Sequence, residues 1–213
     1  AGISIDQVVL SGPQFLSPPP GALKDDATLL TATEPADDPS LTPSGSAREV
    51  IIPVGTAATL RGDWQQVADS TAAAGYRVWN PDGGRGELPS PPAPPADHFD
   101  VTSTAEAGRP YRLWIRGQAQ NNAWTNDSVF VQFSGSVTAS GSPVYRIGTT
   151  HATIVSIERG NNQGLGGWGW EDNGWDCLGA EIYFATSGTQ TLRLQRRRDG
   201  VGRASARLQG RRG

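Results

Sequence analysis

The chain has 213 residues, including 27 glycines and 16 prolines, and a net charge of −3. This length suffices for one sizeable core with appendages. The single cysteine, Cys177, excludes an internal disulfide, and no apolar run approaches the roughly 20 residues of a transmembrane helix. Abundant glycine and proline without helical periodicity favour an all-β fold.

The first ten residues, AGISIDQVVL, are typical of a fully buried strand, because apolar and β-branched side chains occur on both faces. A lone strand is not stable in water, and the sequence that follows offers no partner. Residues 1–12 are therefore predicted to complete a sheet elsewhere, as a donor strand. The side chains expected at that interface are Ile3, Ile5, Val8, Val9 and Leu10.

Residues 13–48 are predicted to form an extended linker rich in proline and aspartate, with polyproline II at 18–20. The segment contains more apolar side chains than a free linker requires, so parts of it are expected to lie on a protein surface. These side chains are Phe15, Leu16, Leu23, Leu29 and Leu30.

Strand patterns begin at Glu49, where Pro53 within the first strand favours an edge position. Spacings of about 10 residues with glycine-rich turns favour a β-sandwich or jelly roll over residues 49–200. The predicted strands are 49–54, 63–69, 75–79, 98–104, 111–117, 128–133, 144–147, 152–157, 181–184 and 189–195.

Four motifs in order, YRLWIRGQAQNN with NDSVFVQF, WGWEDNGW and GTQTLRLQRRRDG, resemble those of galactose-binding-like jelly-roll modules. These include carbohydrate-binding modules of families 6 and 35 and related domains of large secreted bacterial proteins. The resemblance implies a jelly roll with a sugar site in the loops at one end. It also leaves a structural Ca²⁺ open, although the region around Glu49 lacks an acidic cluster; no other cofactor is expected.

In the family that the chain resembles, the turn RxDG precedes a final core strand similar to DGVSIDQIVLS. Here the sequence continues as DGVGRASARLQG, which sets Arg203 and Arg207 at positions where the N-terminal strand has Ile5 and Val9. An unpaired buried arginine is too costly for a sandwich core. Residues 201–213 are therefore predicted to be a basic tail, and the missing strand is predicted to be the one at the N-terminus.

Two arrangements of that strand are open. It can fill the sandwich of a neighbouring copy, which predicts a structural subunit polymerising head to tail into an extracellular fibre. It can instead fold back into its own domain, as in a monomeric carbohydrate-binding module. A third possibility is one unit cut from a tandem array. We expect the fibre, because a detached strand on a long tether suits a polymerising homopolymer subunit.

The location is expected to be extracellular, either secreted or in a cell-surface appendage. The chain lacks methionine and opens within an apparent strand, which favours a start made by cleavage; loss of an initiator methionine before Ala1 is the alternative.

Charge is unevenly distributed along the chain. Residues 196–213 hold seven arginines and one acid, whereas the linker is acidic. The tail of one copy is thus expected against the linker of the next.

A glycan is the other candidate partner, since sugars bind to aromatic faces and to side chains that hydrogen-bond hydroxyls. Two loops supply such groups, and the candidates are Asn122, Trp124, Asn126, Asn173 and Trp175. Trp168 and Trp170 are expected to be packing residues. No metal site or catalytic residue is expected, because the histidines and the cysteine lack suitably spaced partners. No nucleic-acid partner is expected because the body of the chain is acidic, and no membrane partner because no apolar run is long enough.

Overall fold

The computed structural model describes residues 2–31, 49–159, 163–164 and 166–198, and it confirms the predicted all-β fold class. The strands are β1 (Gly2–Ser11), β2 (Val50–Pro53), β3 (Thr59–Arg61), β4 (Gln65–Ala68), β5 (Tyr76–Pro81), β6 (His98–Ala105), β7 (Arg112–Ala119), β8 (Ser128–Phe133), β9 (Ser136–Val137), β10 (Thr153–Ser156), β11 (Glu158–Arg159), β12 (Gln163–Gly164), β13 (Gly169–Asp172), β14 (Tyr183–Phe184) and β15 (Gly188–Arg196). A one-turn helix α1 (Val54–Ala57) and two 3₁₀ turns (Gln120–Asn122 and Trp124–Asn126) complete the described elements; none of these helices is long and apolar enough to cross a membrane.

Two antiparallel sheets face each other across one apolar core. The first has the order β13-β7-β1-β5-β4, with β2 also paired to β1, and the second has the order β10-β8-β15-β6-β3. Side chains from both sheets, such as Ile5 and Val78 on one and Phe99 and Leu194 on the other, meet in a single buried cluster. The architecture is therefore a β-sandwich.

Strand β1 lies in the middle of the six-stranded sheet of its own chain. It pairs along one side with β7 and along the other with β5 and β2. The five predicted interface side chains are at most 2% exposed: Ile3, Ile5, Val8, Val9 and Leu10. Of the expected arrangements, the structure has the one in which the strand closes its own domain. Donation to a neighbour stays a prediction.

A β-bulge explains how β1 places apolar side chains on both faces of the six-stranded sheet. The register against β7 shifts between Ile5 and Gln7, which changes the parity of the strand. Ile3 and Ile5 before the bulge, and Val8 and Leu10 after it, consequently share the main core. Val9 faces the other way and packs with Trp114 and Trp170 in a second cluster on the outer face of the sheet.

The bulge residue Asp6 is fully buried and pairs with Arg116 on β7, Oδ2 to Nη1 at 2.5 Å. Its other oxygen accepts the backbone N–H of Ala73 at 2.8 Å. Arg116 also donates to the carbonyl oxygens of Thr71 and Asp26, and its guanidinium lies 4.9 Å from the centre of the Trp168 ring. Burial raises the pKa of the Asp6 carboxyl more than these hydrogen bonds lower it.

Residues 12–31, which include the first part of the predicted linker, form a strap packed over the outer face of the six-stranded sheet. Its backbone bonds to the stretch leading into β13: Asp25 N to Gly166 O at 2.6 Å and Asp26 N to Trp168 O at 2.8 Å. The Trp114 indole donates to the carbonyl of Phe15 at 2.7 Å. The expectation that apolar parts of the linker lie on a protein surface is confirmed for Phe15, Leu23 and Leu30, whereas Leu29 is exposed. Residues 32–48 lie outside the described residues.

Most predicted strands are confirmed within a few residues, and Pro53 lies in a strand at the rim of the sheet, paired with β1. The predicted strand 144–147 is wrong, because Tyr145 adopts a left-handed conformation with φ 51° that breaks the extended chain. Strand β13 was missed, since its glycines and tryptophans suggest a loop. The basic tail 201–213, with Arg203 and Arg207, lies outside the described residues.

Removing one partner of the Asp6–Arg116 pair should be strongly destabilising. Asp6→Ala leaves a buried guanidinium without its carboxylate, and we expect a loss of about 3–5 kcal/mol in the free energy of unfolding, measured by urea denaturation. The matched control, Asp6→Leu with Arg116→Met, removes both charges and should recover most of that loss. A cost below about 1 kcal/mol for Asp6→Ala would contradict a central role of the pair.

Candidate ligand-binding groove

A groove of about 410 Å³ opens beside the ends of β10 and β15. Its lining combines aromatic, hydroxyl, amide and guanidinium groups, which suits a polar ligand with apolar patches. The lining residues are Tyr145, Ala152, Thr153, Ile154, Ser156, Asn173, Gly174, Trp175, Arg197 and Arg198.

Trp175 is the most prominent side chain of the groove, with 53% of its surface exposed. Its loop is held by the fully buried Asp172 at the end of β13, whose two oxygens accept the backbone N–H groups of Gly174 and Gly179, both at 2.8 Å. The Asn173 amide donates to Thr153 Oγ1 at 3.1 Å and to the carbonyl of Ala180 at 3.0 Å. The indole is therefore exposed on a loop with a well-anchored backbone.

Arg197 borders the groove and is fixed by neighbours on both sides. Its guanidinium donates to Ser128 Oγ at 2.9 Å and to Glu87, and lies 5.9 Å from the centre of the Phe130 ring. Burial lowers the pKa of Arg197, opposed mainly by the charge of Glu87. The side chain keeps one acidic partner within the chain.

Arg198 links the groove to the second exposed tryptophan. Its Nη1 donates to the carbonyl of Trp124 at 2.8 Å, and its guanidinium lies 5.5 Å from the centre of that ring. It also pairs with Glu87 and with the buried Asp127, at 3.3 Å in each case. Two arginines thus face two acids, so the described part of the groove carries little net charge.

Asp127 anchors Arg198 from inside the sandwich. It is 1% exposed and accepts a hydrogen bond from Ser156 Oγ at 3.1 Å. Burial raises the pKa of this carboxyl, opposed by the charge of Arg198 and by hydrogen bonds from Ser156 and Ser128. The carboxyl is therefore committed to structural contacts rather than open to the groove.

The predicted glycan residues separate into two groups. Asn173 and Trp175 line the groove, and Trp124 adjoins it through Arg198, with 53% of its surface exposed. Asn126 is instead 2% exposed, and its amide points to Asp82 Oδ2 at 3.4 Å, because it closes a 3₁₀ turn against the loop after β5. Asn122 is exposed in the preceding 3₁₀ turn and is not among the groove residues.

The expectation that Trp168 and Trp170 are packing residues is confirmed, since they are 7% and 0% exposed. Sequence reasoning missed Arg197 and Arg198 as groove residues; they lie near the start of the arginine-rich region. Their signal was available in the QRRRDG motif at the end of β15, but a run of arginines is equally typical of a solvated tail.

Among the described residues, no group of three or more His, Cys, Asp or Glu side chains is placed to hold a metal ion. Comparison with protein-family models finds no match, and neither the curated proteins nor the solved structures yield one. The function of the groove is therefore inferred from the side chains that line it.

The raised pKa of Asp127 predicts a pH dependence of stability. The folded state binds the proton of Asp127 more tightly than the unfolded state, in which the pKa is near 3.8. This tighter binding stabilises the folded state at low pH, and the stabilisation is lost as the pH rises through the folded-state pKa. Compared with Asp127→Asn, which is neutral throughout, the wild-type chain should lose relative stability as the pH rises above about 4. Urea midpoints at several pH values test this, and a wild-type advantage that grows with pH would contradict it.

Proposed function

We propose that this chain is a noncatalytic, extracellular glycan-binding module of the jelly-roll type. The observation that carries the proposal is an exposed indole, Trp175, on an anchored loop beside hydroxyl and guanidinium groups in one groove. A sugar ring offers an apolar face for stacking on the indole and hydroxyls for those donors. The resemblance of the sequence motifs to galactose-binding-like modules supports the same function.

A neutral glycan fits the electrostatics best. Arg197 and Arg198 are each paired with acids of the same chain, Glu87 and Asp127, so they act as oriented hydrogen-bond donors more than as a free positive field. The volume of about 410 Å³ lies within the range of ligand sites, about 300–1,000 Å³. Trp124, stacked against Arg198, would extend the contact surface for a longer chain.

Trp175→Ala should weaken binding to any neutral oligosaccharide found on a glycan array by at least about tenfold, because it removes the stacking face. Trp124→Ala should have a smaller effect and one that appears with longer glycans. The matched control is Tyr76→Ala, an exposed aromatic residue of β5 outside the groove. Binding by titration calorimetry that is equally lost in the control would contradict the assignment of the groove.

A second candidate function is that of a subunit of an extracellular fibre, polymerising by donation of β1. One observation favours it: β1 contributes the central contacts of its sheet, yet it is joined to β2, where the body of the sandwich begins, only through a long stretch that includes residues 32–48. A neighbour can offer the same β7, β5 and β2 edges, so exchange would preserve the buried contacts. Four or five apolar side chains at about 1.5–3 kcal/mol each would contribute on the order of 10 kcal/mol before entropy costs.

A charge-exchange pair tests donation between copies. Asp6→Arg alone and Arg116→Asp alone each place like charges together in the closed chain, whereas in a mixture each strand meets an opposite charge in the other chain. We expect co-refolded variants to form mixed assemblies at a 1:1 ratio, seen by light scattering, with melting temperatures above those of the separate variants.

The matched control is the double variant, Asp6→Arg with Arg116→Asp in one chain, which restores opposite charges within the chain and between copies and should assemble as the wild-type chain does. If the mixture contains only the species that each variant forms alone, while the double variant is folded, strand donation is excluded.

A further inference from the structure

We infer that strand β1 and the strap, residues 2–31, form one exchangeable unit, and that a second copy of this chain which receives the strand also receives the strap. This inference rests on the second candidate function, exchange between copies. It enlarges the interface from one strand within a sheet to a strand plus the cover of the outer face of that sheet. The acceptor surface is correspondingly larger than the gap between β7 and β5.

Side chains of β1 are bonded directly to the end of the strap. Gln7 lies on the outer face, its Nε2 donates to the carbonyl of Leu30 at 2.7 Å, and its Oε1 accepts the N–H of Leu30 at 3.1 Å. Ser11 Oγ accepts the N–H of Phe15 at 2.7 Å at the beginning of the strap. Both ends of the strap are therefore attached to the strand that it follows.

Strand and strap also share the same partners on the body of the sandwich. Arg116 binds Asp6 of the strand and the carbonyl of Asp26 of the strap, the latter at 2.9 Å. The outer cluster combines Val9 of the strand with Phe15 and Leu30 of the strap, against Trp114 and Trp170. Moving the strand without the strap would break the bonds of Gln7 to Leu30 and of Ser11 to Phe15, and it would remove Val9 from the outer cluster.

The strap adds an edge contact of its own. Trp170 on β13 donates its backbone N–H to the carbonyl of Ala22 at 3.0 Å, and the strap residues Asp25 and Asp26 bond to the preceding carbonyl groups. The strap therefore continues the backbone pairing beyond β13, at the rim of the sheet. Because these are main-chain bonds, any copy of the chain can offer the same acceptor surface.

A peptide-exchange experiment tests whether the unit moves as a whole. Residues 36–42 are replaced by a recognition sequence for a specific protease, and the folded chain is cut there, so that noncovalent contacts alone hold the N-terminal piece. Labelled peptides 1–31 and 1–12 are then offered to the cut chain, and capture is measured by fluorescence anisotropy. A third peptide, 1–31 with Phe15→Ala and Leu30→Ala, keeps the strand and loses the apolar contacts of the strap.

We expect peptide 1–31 to replace the N-terminal piece at concentrations at least about 100-fold below those that peptide 1–12 requires, with the substituted peptide between them. Equal capture of 1–31 and 1–12 would show that the strap does not belong to the unit. Capture of neither peptide, after incubation in mild denaturant to open the chain, would show that the site is not exchangeable. Both results overturn the inference.

The outcome is separable from that of the fibre proposal. Peptide capture does not require the uncut chain to assemble, so a chain that binds 1–31 and yet stays monomeric at all concentrations retains the exchangeable unit and excludes the fibre. Conversely, filaments formed by a chain that captures 1–12 as well as 1–31 would support strand donation and exclude the strap from it.

Discussion

The fold depends on β1, the N-terminal strand, which occupies the centre of the six-stranded sheet. β1 is flanked on both sides, and its bulge lets it present apolar side chains to the main core on both sides of Asp6. The bulge also buries the carboxylate of Asp6, which is bound by Arg116 and by the backbone N–H of Ala73. The cost of desolvating that pair is partly offset because Arg116 also donates to the carbonyl groups of Thr71 and Asp26.

Apolar patterning predicted β1 and its burial, because Ile3, Ile5, Val8, Val9 and Leu10 leave neither face polar. The bulge at Asp6 could not be predicted, since a register shift depends on the partner strand β7. The strap was predicted to be extended linker with surface contacts, and its apolar side chains did indicate them. The carbonyl groups that it presents to Trp114 and Arg116 carry no sequence signal, because every residue has one.

In the groove, too, some residues could be predicted from the sequence and others could not. Trp124 and Trp175 were distinguishable from Trp168 and Trp170 because the latter belong to a dense WGW motif, and the exposures follow that distinction. The arginines were not predicted as groove residues. Their role arises when β15 pairs with β8, which sets Arg197 beside Ser128 and brings Arg198 to Asp127. Contacts between residues about 70 positions apart follow from sheet order, which local composition does not encode.

The groove and the exchangeable unit are mechanically connected through β13. The loop that carries Trp175 leaves β13 at Asp172; β13 pairs with β7, and β7 pairs with β1. The strap bonds to the other side of β13 through Ala22, and Leu30 of the strap packs against the outer cluster that contains Trp170. Without β1 and the strap, the sandwich would lose contacts that hold β13 in place, and β13 orients the loop of Trp175. Glycan binding would then require a completed sheet, whether the strand comes from the same chain or from another copy, and the two candidate functions are compatible in one molecule.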